Sequence, residues 1–297
     1  MKCTALILLA CFGSASTLRS AEAQLDTKQI EQIIGLTGKM NAEEGVFKVT
    51  SPRNDIKVSV DKWQMPPFMG LTSWAGFKPG EKDEAMVMGD LVLFQDEVNS
   101  VMSAALDSGL AVTALHNHFF FDDPKVYFMH IGGEGKADAL AKGVKAALDA
   151  AKQVRSRNAQ PGSAFSGSIP AQSSITAEPL QQTLTVKPDV KDGMVKFVFG
   201  RTAKMPCGCE AIKEIGVNTW AAFAGSDDNA VVDGDFAVLE DELQPVLKSL
   251  RKNNINIVAI HHHMTHETPR TLFLHYWGKG SAERLATALK STLALQK

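Results

Sequence analysis

The sequence predicts an α+β protein built from two tandem ferredoxin-like β-α-β-β-α repeats that are related by a pseudo-twofold axis. Three observations predict this fold: a long internal repeat, the same order of strand and helix patterns in both copies, and a loop-forming segment between them. The chain has 297 residues, which is enough for two ordinary domains.

The internal repeat runs from Trp74 to Gly135 and again from Trp220 to Gly280, with one small length adjustment. From Gly89 onward, matching residues stay 145 positions apart. The clearest matches pair Gly89-Asp90 with Gly234-Asp235, Asp96-Glu97 with Asp241-Glu242, His116 with His261, His118 with His263, Pro124 with Pro269, and His130 with His275. Duplication of one unit explains this agreement, and chance does not.

Each copy shows the same elements in the same order. Apolar runs and alternation predict strands, and spacing of three and four predicts amphipathic helices with acidic first turns that suit the helix dipole. The expected elements are a strand (85–94 and 230–239), a helix (96–108 and 241–253), a second strand (111–118 and 255–263), a third strand (126–131 and 271–277) and a last helix (136–153 and 282–295).

Domain boundaries follow from these patterns. Residues 1–23 are predicted to be a signal peptide, 24–155 the first repeat, 156–178 a linker, and 179–297 the second repeat. The linker is rich in Ser, Ala, Pro, Gly and Gln, a composition typical of linkers or long loops.

The N-terminus predicts export to the periplasm or the extracellular space. Lys2 precedes a short apolar run, and Ala21-Glu22-Ala23 forms a small-x-small cleavage site before Gln24. The competing interpretation is a lipoprotein signal in which Cys11 carries a lipid anchor. We favour simple secretion, because the apolar run before Cys11 is short. No later segment is apolar enough to predict a transmembrane helix.

Composition narrows the classes of partner. The net charge is −2 and Lys and Arg are not clustered, so nucleic acid is not an expected partner. Once the leader is removed, Cys207 and Cys209 are the only cysteines, which excludes a disulfide framework. They belong to a Met205-Pro-Cys-Gly-Cys209 segment that offers soft ligands for Cu(I); a local disulfide or free thiols are the alternatives.

The histidines are the candidate metal ligands. Side chains alternate along a strand, so His116 and His118 share one face of the sheet, as do His261 and His263. His130 and His275 lie on the next strand. If His130 pairs near Ala114, the three rings of a copy converge, whereas a slip of one residue places the third ring on the other face.

Three neutral imidazoles form the ligand set of an exchangeable or catalytic Zn²⁺ or Cu²⁺ site, and we expect Zn²⁺ more than Cu²⁺. Acidic residues lie in the turns between the histidines, at Asp122, Asp123 and Glu267. Glu267 is the best candidate for a catalytic general base. The alternative is that all six histidines are structural residues retained after the duplication.

Several of these motifs resemble the LppY/LpqO family of exported proteins, which carry a domain of unknown function. The resemblance rests on Ala114 to His118 with Pro124 and His130, on Gly216 to Phe223, and on Phe273 to Gly278. It spans about Leu25 to Leu295 and departs from the family pattern at Phe119 to Asp123. It implies export, duplication and importance of the histidines, but no reaction.

These observations lead to one functional hypothesis and two alternatives. The hypothesis is an exported metal-binding protein with a three-histidine site in each repeat; if it is catalytic, the expected activity is Zn-dependent hydrolysis of a small ester, amide or lactone. The alternatives are a non-catalytic metal chaperone or scavenger, and a metal-free module that binds a small ligand. The expected partners are therefore a metal ion and a small-molecule substrate.

Overall fold

The computed structural model describes residues 25–81, 84–162 and 168–297. In these residues the chain forms a mixed α+β structure with six helices and one large antiparallel sheet of twelve strands. The predicted signal peptide lies outside the described residues. No helix in the described part of the chain is long and apolar enough to cross a membrane.

The first half begins with a helix and continues mainly as strands. Its elements are α1 (Thr27–Ile34), β1 (Gly38–Asn41), β2 (Val46–Pro52), β3 (Val58–Val60), β4 (Trp63–Met65), β5 (Thr72–Pro79), β6 (Ala85–Phe94), α2 (Val98–Asp107), β7 (Ala111–His116), β8 (Asp122–Asp123), β9 (Val126–Gly135) and α3 (Ala137–Arg157).

The second half repeats this order apart from the short strand β8. Its elements are α4 (Ala177–Leu184), β10 (Asp189–Lys191), β11 (Met194–Gly200), β12 (Ala203–Lys204), β13 (Glu210–Ala211), β14 (Asn218–Gly225), β15 (Ala230–Leu239), α5 (Glu240–Lys252), β16 (Asn256–His261), β17 (Thr271–Gly280) and α6 (Ala282–Leu293). The two halves thus share the β-α-β-β-α order predicted from the repeat, and each carries an additional helix and additional strands before it.

The large sheet is symmetric about its centre. Its strand order is β1-β2-β5-β6-β9-β7-β16-β17-β15-β14-β11-β10, so equivalent strands lie at equal distances from the middle. The halves join where Leu115 of β7 pairs with Ile260 of β16, and these two residues are themselves equivalent in the repeat. Equivalent strands of the two halves therefore meet at the centre of the sheet.

The main core lies between the sheet and the helices. Helix α2 buries Val98, Val101, Met102 and Ala105, at the spacing of three and four that defines an apolar face. Helix α5 does the same with its own apolar face. Each large apolar side chain buried in this layer contributes about 1.5–3 kcal/mol to stability. The core is continuous across both halves, so the helices cover a single face of the sheet.

The opposite face of the sheet is only partly covered. In the first half, the small sheet β4-β3-β8 packs on it through a separate cluster that includes Val58, Val92, Phe94 and Phe128. In the second half, the corresponding hairpin is β12-β13. The rest of this second face, which we call the open face, carries the histidines.

A β-bulge in each half turns the histidines onto the open face. Val112 pairs with Ile131 and Ala114 pairs with His130, so Thr113 is an extra residue in β7. Val112 lies in the core on the helix side of the sheet. In a regular strand Ala114 would face the same side, but the extra residue turns Ala114 to the opposite face. His116 follows Ala114 on that face. The same shift occurs between Ile257 and Ala259 of β16.

The predicted linker has a described part that contacts the second half. Ile175 is buried, Ser174 donates its amide to the carbonyl of Gly225, and Thr176 donates its amide and hydroxyl to Asp227. Residues 163–167 lie outside the described residues. Helix α3 extends into the predicted linker to Arg157, and α4 begins before its end.

Candidate metal centre

Three side chains of the second half bring their ligand atoms together on the open face. Asp235, His261 and His263 each offer one ligand atom, and the three atoms lie within 4.8 Å of one another. The Nε2 atom of His261 lies 3.9 Å from Oδ1 of Asp235, and Nε2 of His263 lies 3.5 Å from its Oδ2. The carboxylate is therefore the centre of the group.

His275 is the third histidine close to the Asp235 carboxylate. Asp235 and His275 are directly paired residues of β15 and β17, and the imidazole Nδ1 lies 3.9 Å from Oδ1 of Asp235. His275 also pairs with Ala259, and its ring centroid is 4.5 Å from that of His261. The strand register required for the three rings to converge is thus present in this half.

The orientation of His263 is fixed on two sides. Its Nδ1 lies 3.1 Å from the carbonyl oxygen of Gly216, which can only accept, so Nδ1 carries the proton. Its ring stacks on Phe273 with centroids 3.5 Å apart and planes 10° apart. In the neutral ring Nε2 is then the nitrogen with the free lone pair, and it faces Asp235. A histidine held by a carbonyl on one nitrogen and free on the other is the usual arrangement of a metal ligand.

The buried polar atoms of this centre lack partners among the described residues. Oδ1 of Asp235 and Nε2 of His261 are both buried without a hydrogen bond. Leaving a buried polar group without a partner costs about 1–3 kcal/mol. Ligands about 2.0 Å from a tetrahedral Zn²⁺ lie about 3.3 Å apart, so these two atoms, which are 3.9 Å apart, can share a cation once their side chains shift together by a few tenths of an ångström each.

Burial and neighbouring charges set the protonation of these groups. Burial, together with the adjacent His275 and His263, lowers the pKa of His261 to about 4, so this ring is neutral at neutral pH. Burial raises the pKa of Asp235, although His275 and His263 act in the opposite direction. A neutral imidazole is the form that binds a metal.

The first half places the equivalent residues together with a different internal contact. Nε2 of His116 and Nε2 of His130 lie 3.1 Å apart, within hydrogen-bond distance. His130 also lies 3.9 Å from Asp90, the residue with which it pairs across β6 and β9. His118 stacks on Phe128, with ring centroids 3.4 Å apart. The His116–His130 contact occupies one nitrogen of each ring.

Burial also shifts the protonation of the first set. Burial lowers the pKa of His118, with a further contribution from His116, and burial raises the pKa of Asp90. The Oδ1 atom of Asp90 is buried without a hydrogen bond, like the equivalent atom of Asp235. Asp90 and Asp235 therefore have equivalent environments, each with a buried Oδ1 atom close to the histidines of its own half.

The structure thus groups all six predicted histidines into two sets of three on the open face and adds an acid to each set. The added residues, Asp90 and Asp235, were not among the predicted site residues. The available signal was the repeated Gly-Asp pair, which the sequence analysis interpreted only as part of the duplication.

Glu267, the predicted general base, lies in the turn that precedes β17. Its Oε1 accepts the amide of Thr271 at 2.9 Å, and its Oε2 is buried without a hydrogen bond. Asp122 holds the equivalent turn through the amide of Val126 at 2.8 Å. The structure therefore shows a turn-holding contact for Glu267, and its catalytic role stays a prediction.

Comparison with known proteins gives a family but no reaction. The family model described as Domain of Unknown Function (DUF1259) matches residues 28–150 and 178–295, one region in each half. No curated protein matches. Among solved structures, the crystal structure of a trimeric bacterial microcompartment shell protein, PduB, is 11% identical and covers 86% of this chain and 89% of its own, with a TM-score of 0.20. A likeness at that score carries no argument.

Proposed function

The chain belongs to the family described as Domain of Unknown Function (DUF1259), and from this premise we propose that it is a metal-binding protein. Its principal centre is formed by Asp235, His261 and His263, with His275 beside them. The observation that carries this proposal is the pair of buried, unpartnered ligand atoms on Asp235 and His261, which belong to a group of ligand atoms within 4.8 Å of one another that also includes His263.

The donor set selects a divalent transition metal. Imidazole nitrogens with one carboxylate oxygen suit Zn²⁺ and other borderline cations, and Zn²⁺ is the expected ion ahead of Cu²⁺. We assign the main site to the second half, because there the ligand atoms of Asp235, His261 and His263 lie within 4.8 Å of one another. The set in the first half, His116, His118 and His130 with Asp90, is the weaker site, since a metal ion must there replace the hydrogen bond between Nε2 of His116 and Nε2 of His130.

A groove beside the second centre supports a small-molecule substrate. It has a volume of about 420 Å³ and is lined by residues that include Trp277, Asp233, Lys196 and Ala222. Trp277 and Asp233 are paired, and each lies two residues from a member of the centre on the same face of its strand. The equivalent positions in the first half are Gly132 and Met88, so Trp277 and Asp233 are particular to the second half.

This groove favours hydrolysis of a small ester, amide or lactone as the activity. A bound Zn²⁺ would supply Lewis-acid chemistry and lower the pKa of a water molecule. The residues of the chain orient the rings, and Glu267 is the proposed proton acceptor. Metal storage or transfer without catalysis is the second candidate, favoured by the partial exposure of His263 and His275, whose side chains are 36% and 44% exposed.

The test uses untagged full-length protein loaded with Zn²⁺, dialysed and analysed by mass spectrometry of the bound metal. Asp235→Asn preserves the shape of the side chain and should lower bound zinc by about one equivalent. The matched control is Asp233→Asn, which changes an exposed residue two positions before Asp235 on the same strand and should retain the bound zinc. Replacing both His261 and His263 by Ala should reproduce the loss.

Equal zinc in the two Asp variants would contradict the metal-binding proposal. The same proteins distinguish the two candidate activities. Zinc-dependent hydrolysis of p-nitrophenyl acetate that disappears in Asp235→Asn supports the hydrolase, whereas bound zinc with no such hydrolysis favours storage or transfer.

Export of the protein is a separate proposal that rests on the N-terminal sequence. Lys2, the apolar run and Ala21 to Ala23 together predict cleavage before Gln24. Mass spectrometry of the protein expressed with its own leader should show Gln24 at the N-terminus. A diacylglyceryl mass on Cys11 would instead establish lipid anchoring.

Two finer classifications are also proposals. The ferredoxin-like description of each unit is supported by the position of β9 between β6 and β7, because α2 then connects two parallel strands that flank a third. Membership in the LppY/LpqO family is supported by the motifs around His116 to His130 and Phe273 to Gly278. Both gain support from the matched regions 28–150 and 178–295.

A further inference from the structure

The hairpin tip between β12 and β13 gathers three sulfur-bearing side chains. The tip runs from Met205 to Cys209. The amide of Met205 donates to the carbonyl of Cys209 at 2.9 Å, and the amide of Gly208 donates to the carbonyl of Met205 at 2.9 Å. Gly208 has a φ of 82°, a left-handed conformation that closes this turn at little steric cost.

The hydrogen bonds place the sulfurs on one side of the tip. Lys204 pairs with Glu210, so Met205 and Cys209 are the next opposing pair and their side chains share a face. The amide of Cys209 donates to Sγ of Cys207 at 3.3 Å, which folds Cys207 back toward Cys209. Both cysteines are free and exposed. A soft cation therefore has access to two thiols and a thioether.

The fold itself does not require these sulfurs. The equivalent hairpin of the first half, β3-β4, has Asp61 and Lys62 at its tip and Trp63 on the returning strand. Both hairpins are held in the same way, since Ser59 pairs with Asp123 in the first half and Lys204 bridges Thr268 in the second. The sulfur cluster is thus an addition to the half that carries the main metal centre.

We propose that this tip binds one Cu(I) ion through the thiolates of Cys207 and Cys209, with Sδ of Met205 as the third ligand. Thiolate and thioether sulfurs select Cu(I) over harder ions. The two thiols release their protons to solvent as the ion binds, and no electron is transferred. The site uses none of the residues of the Asp235 centre, so it does not depend on that assignment.

The test is an anaerobic Cu(I) titration against the chelator bicinchoninate. It uses the full-length chain in which Cys3 and Cys11 are replaced by Ser, so that Cys207 and Cys209 are the only thiols. This protein should retain about one equivalent of Cu(I) in the competition. The further change Cys207→Ser with Cys209→Ser should abolish retention, and Met205→Leu should weaken it by roughly tenfold.

Two controls separate this site from the Asp235 centre. Asp235→Asn in the same background should keep its Cu(I), and the double Ser variant should keep its Zn²⁺, which also shows that it is folded. The proposal is overturned if the chelator removes all copper from the parent protein, or if the double Ser variant retains copper as the parent does.

Discussion

Glu97 and Glu242 occupy equivalent places at the starts of α2 and α5, and both are buried. Glu242 accepts the amide of Leu239 at 2.9 Å and pairs with Arg201, while Glu97 accepts the amide of Phe94 at 2.9 Å and pairs with Arg53. A carboxylate at a helix start satisfies free amides and interacts favourably with the helix dipole. Each glutamate therefore fixes its helix to the preceding strand.

Glu242→Gln tests this role through the pH dependence of stability. Burial raises the pKa of Glu242, but the hydrogen bond from Arg201 and the amides of Leu239 and Lys297 outweigh it, and the net pKa is lowered. A lowered pKa in the folded state means that the stabilisation is complete above the unfolded value of about 4.3 and is lost as pH falls through the folded pKa.

The Gln variant should therefore lose about 1–3 kcal/mol at pH 7 and show a smaller further loss below about pH 4 than the parent. Urea denaturation at a series of pH values measures both effects. Asp241→Asn, which removes an exposed partner of Lys297, is the control and should change little at pH 7. If the unfolding free energies of the parent and of Glu242→Gln differed by the same amount at every pH, the role assigned to the Glu242 carboxylate would be contradicted.

Single residues also show what the sequence could and could not predict at the site. The six histidines are recognisable because their spacing repeats. Asp235 was missed because its place beside His275, forty positions later in the chain, depends on the pairing between β15 and β17, which no fixed sequence spacing predicts. The contact between Glu267 and Thr271 could not be predicted from the sequence either, since it depends on the shape of a turn.

At the scale of elements, the strongly patterned segments were predicted best. The strands predicted at 85–94 and 230–239 have the predicted bounds, because long apolar runs and flanking turn residues limit them on both sides. The strands β1, β2, β10 and β11 were not predicted, since they lie before the matching repeat and near the sheet edges. The edge strands β1 and β10 contain no buried residue, so their sequences lack an apolar alternation.

The bulges of β7 and β16 can also be recognised in the sequence from the spacing of the apolar residues. Apolar core residues fall at Val112 and Leu115, and again at Ile257 and Ile260, a spacing of three where a regular strand requires two. A regular strand would therefore leave either the apolar residues or the histidines on the wrong face. The bulge resolves this conflict and aims His116 and His261 away from the core.

At the scale of the whole molecule, each half supports the bulge of the other. Asn99 on α2 exchanges two hydrogen bonds with the backbone of Ile257, at 2.7 and 3.1 Å. Gln244 on α5, the equivalent residue, exchanges two with the backbone of Val112, at 2.9 and 2.8 Å. These amides satisfy backbone groups that the bulge leaves out of the ladder. These hydrogen bonds therefore connect each helix to the histidine-bearing strand of the opposite half.

This connection predicts that a residue of the first half controls the metal centre of the second. Asn99→Ala should leave the amide and carbonyl of Ile257 without partners, loosen the bulge and lower zinc affinity at the Asp235 centre by roughly 10–100-fold. Gln244→Ala is the matched control, because it loosens the bulge at Val112 and should leave that centre close to the parent. Competition with a zinc-sensitive fluorophore measures both affinities. Equal losses in the two variants would show that the amides act on overall stability, whereas a loss in Asn99→Ala alone shows that the join between the halves positions His261 and His263.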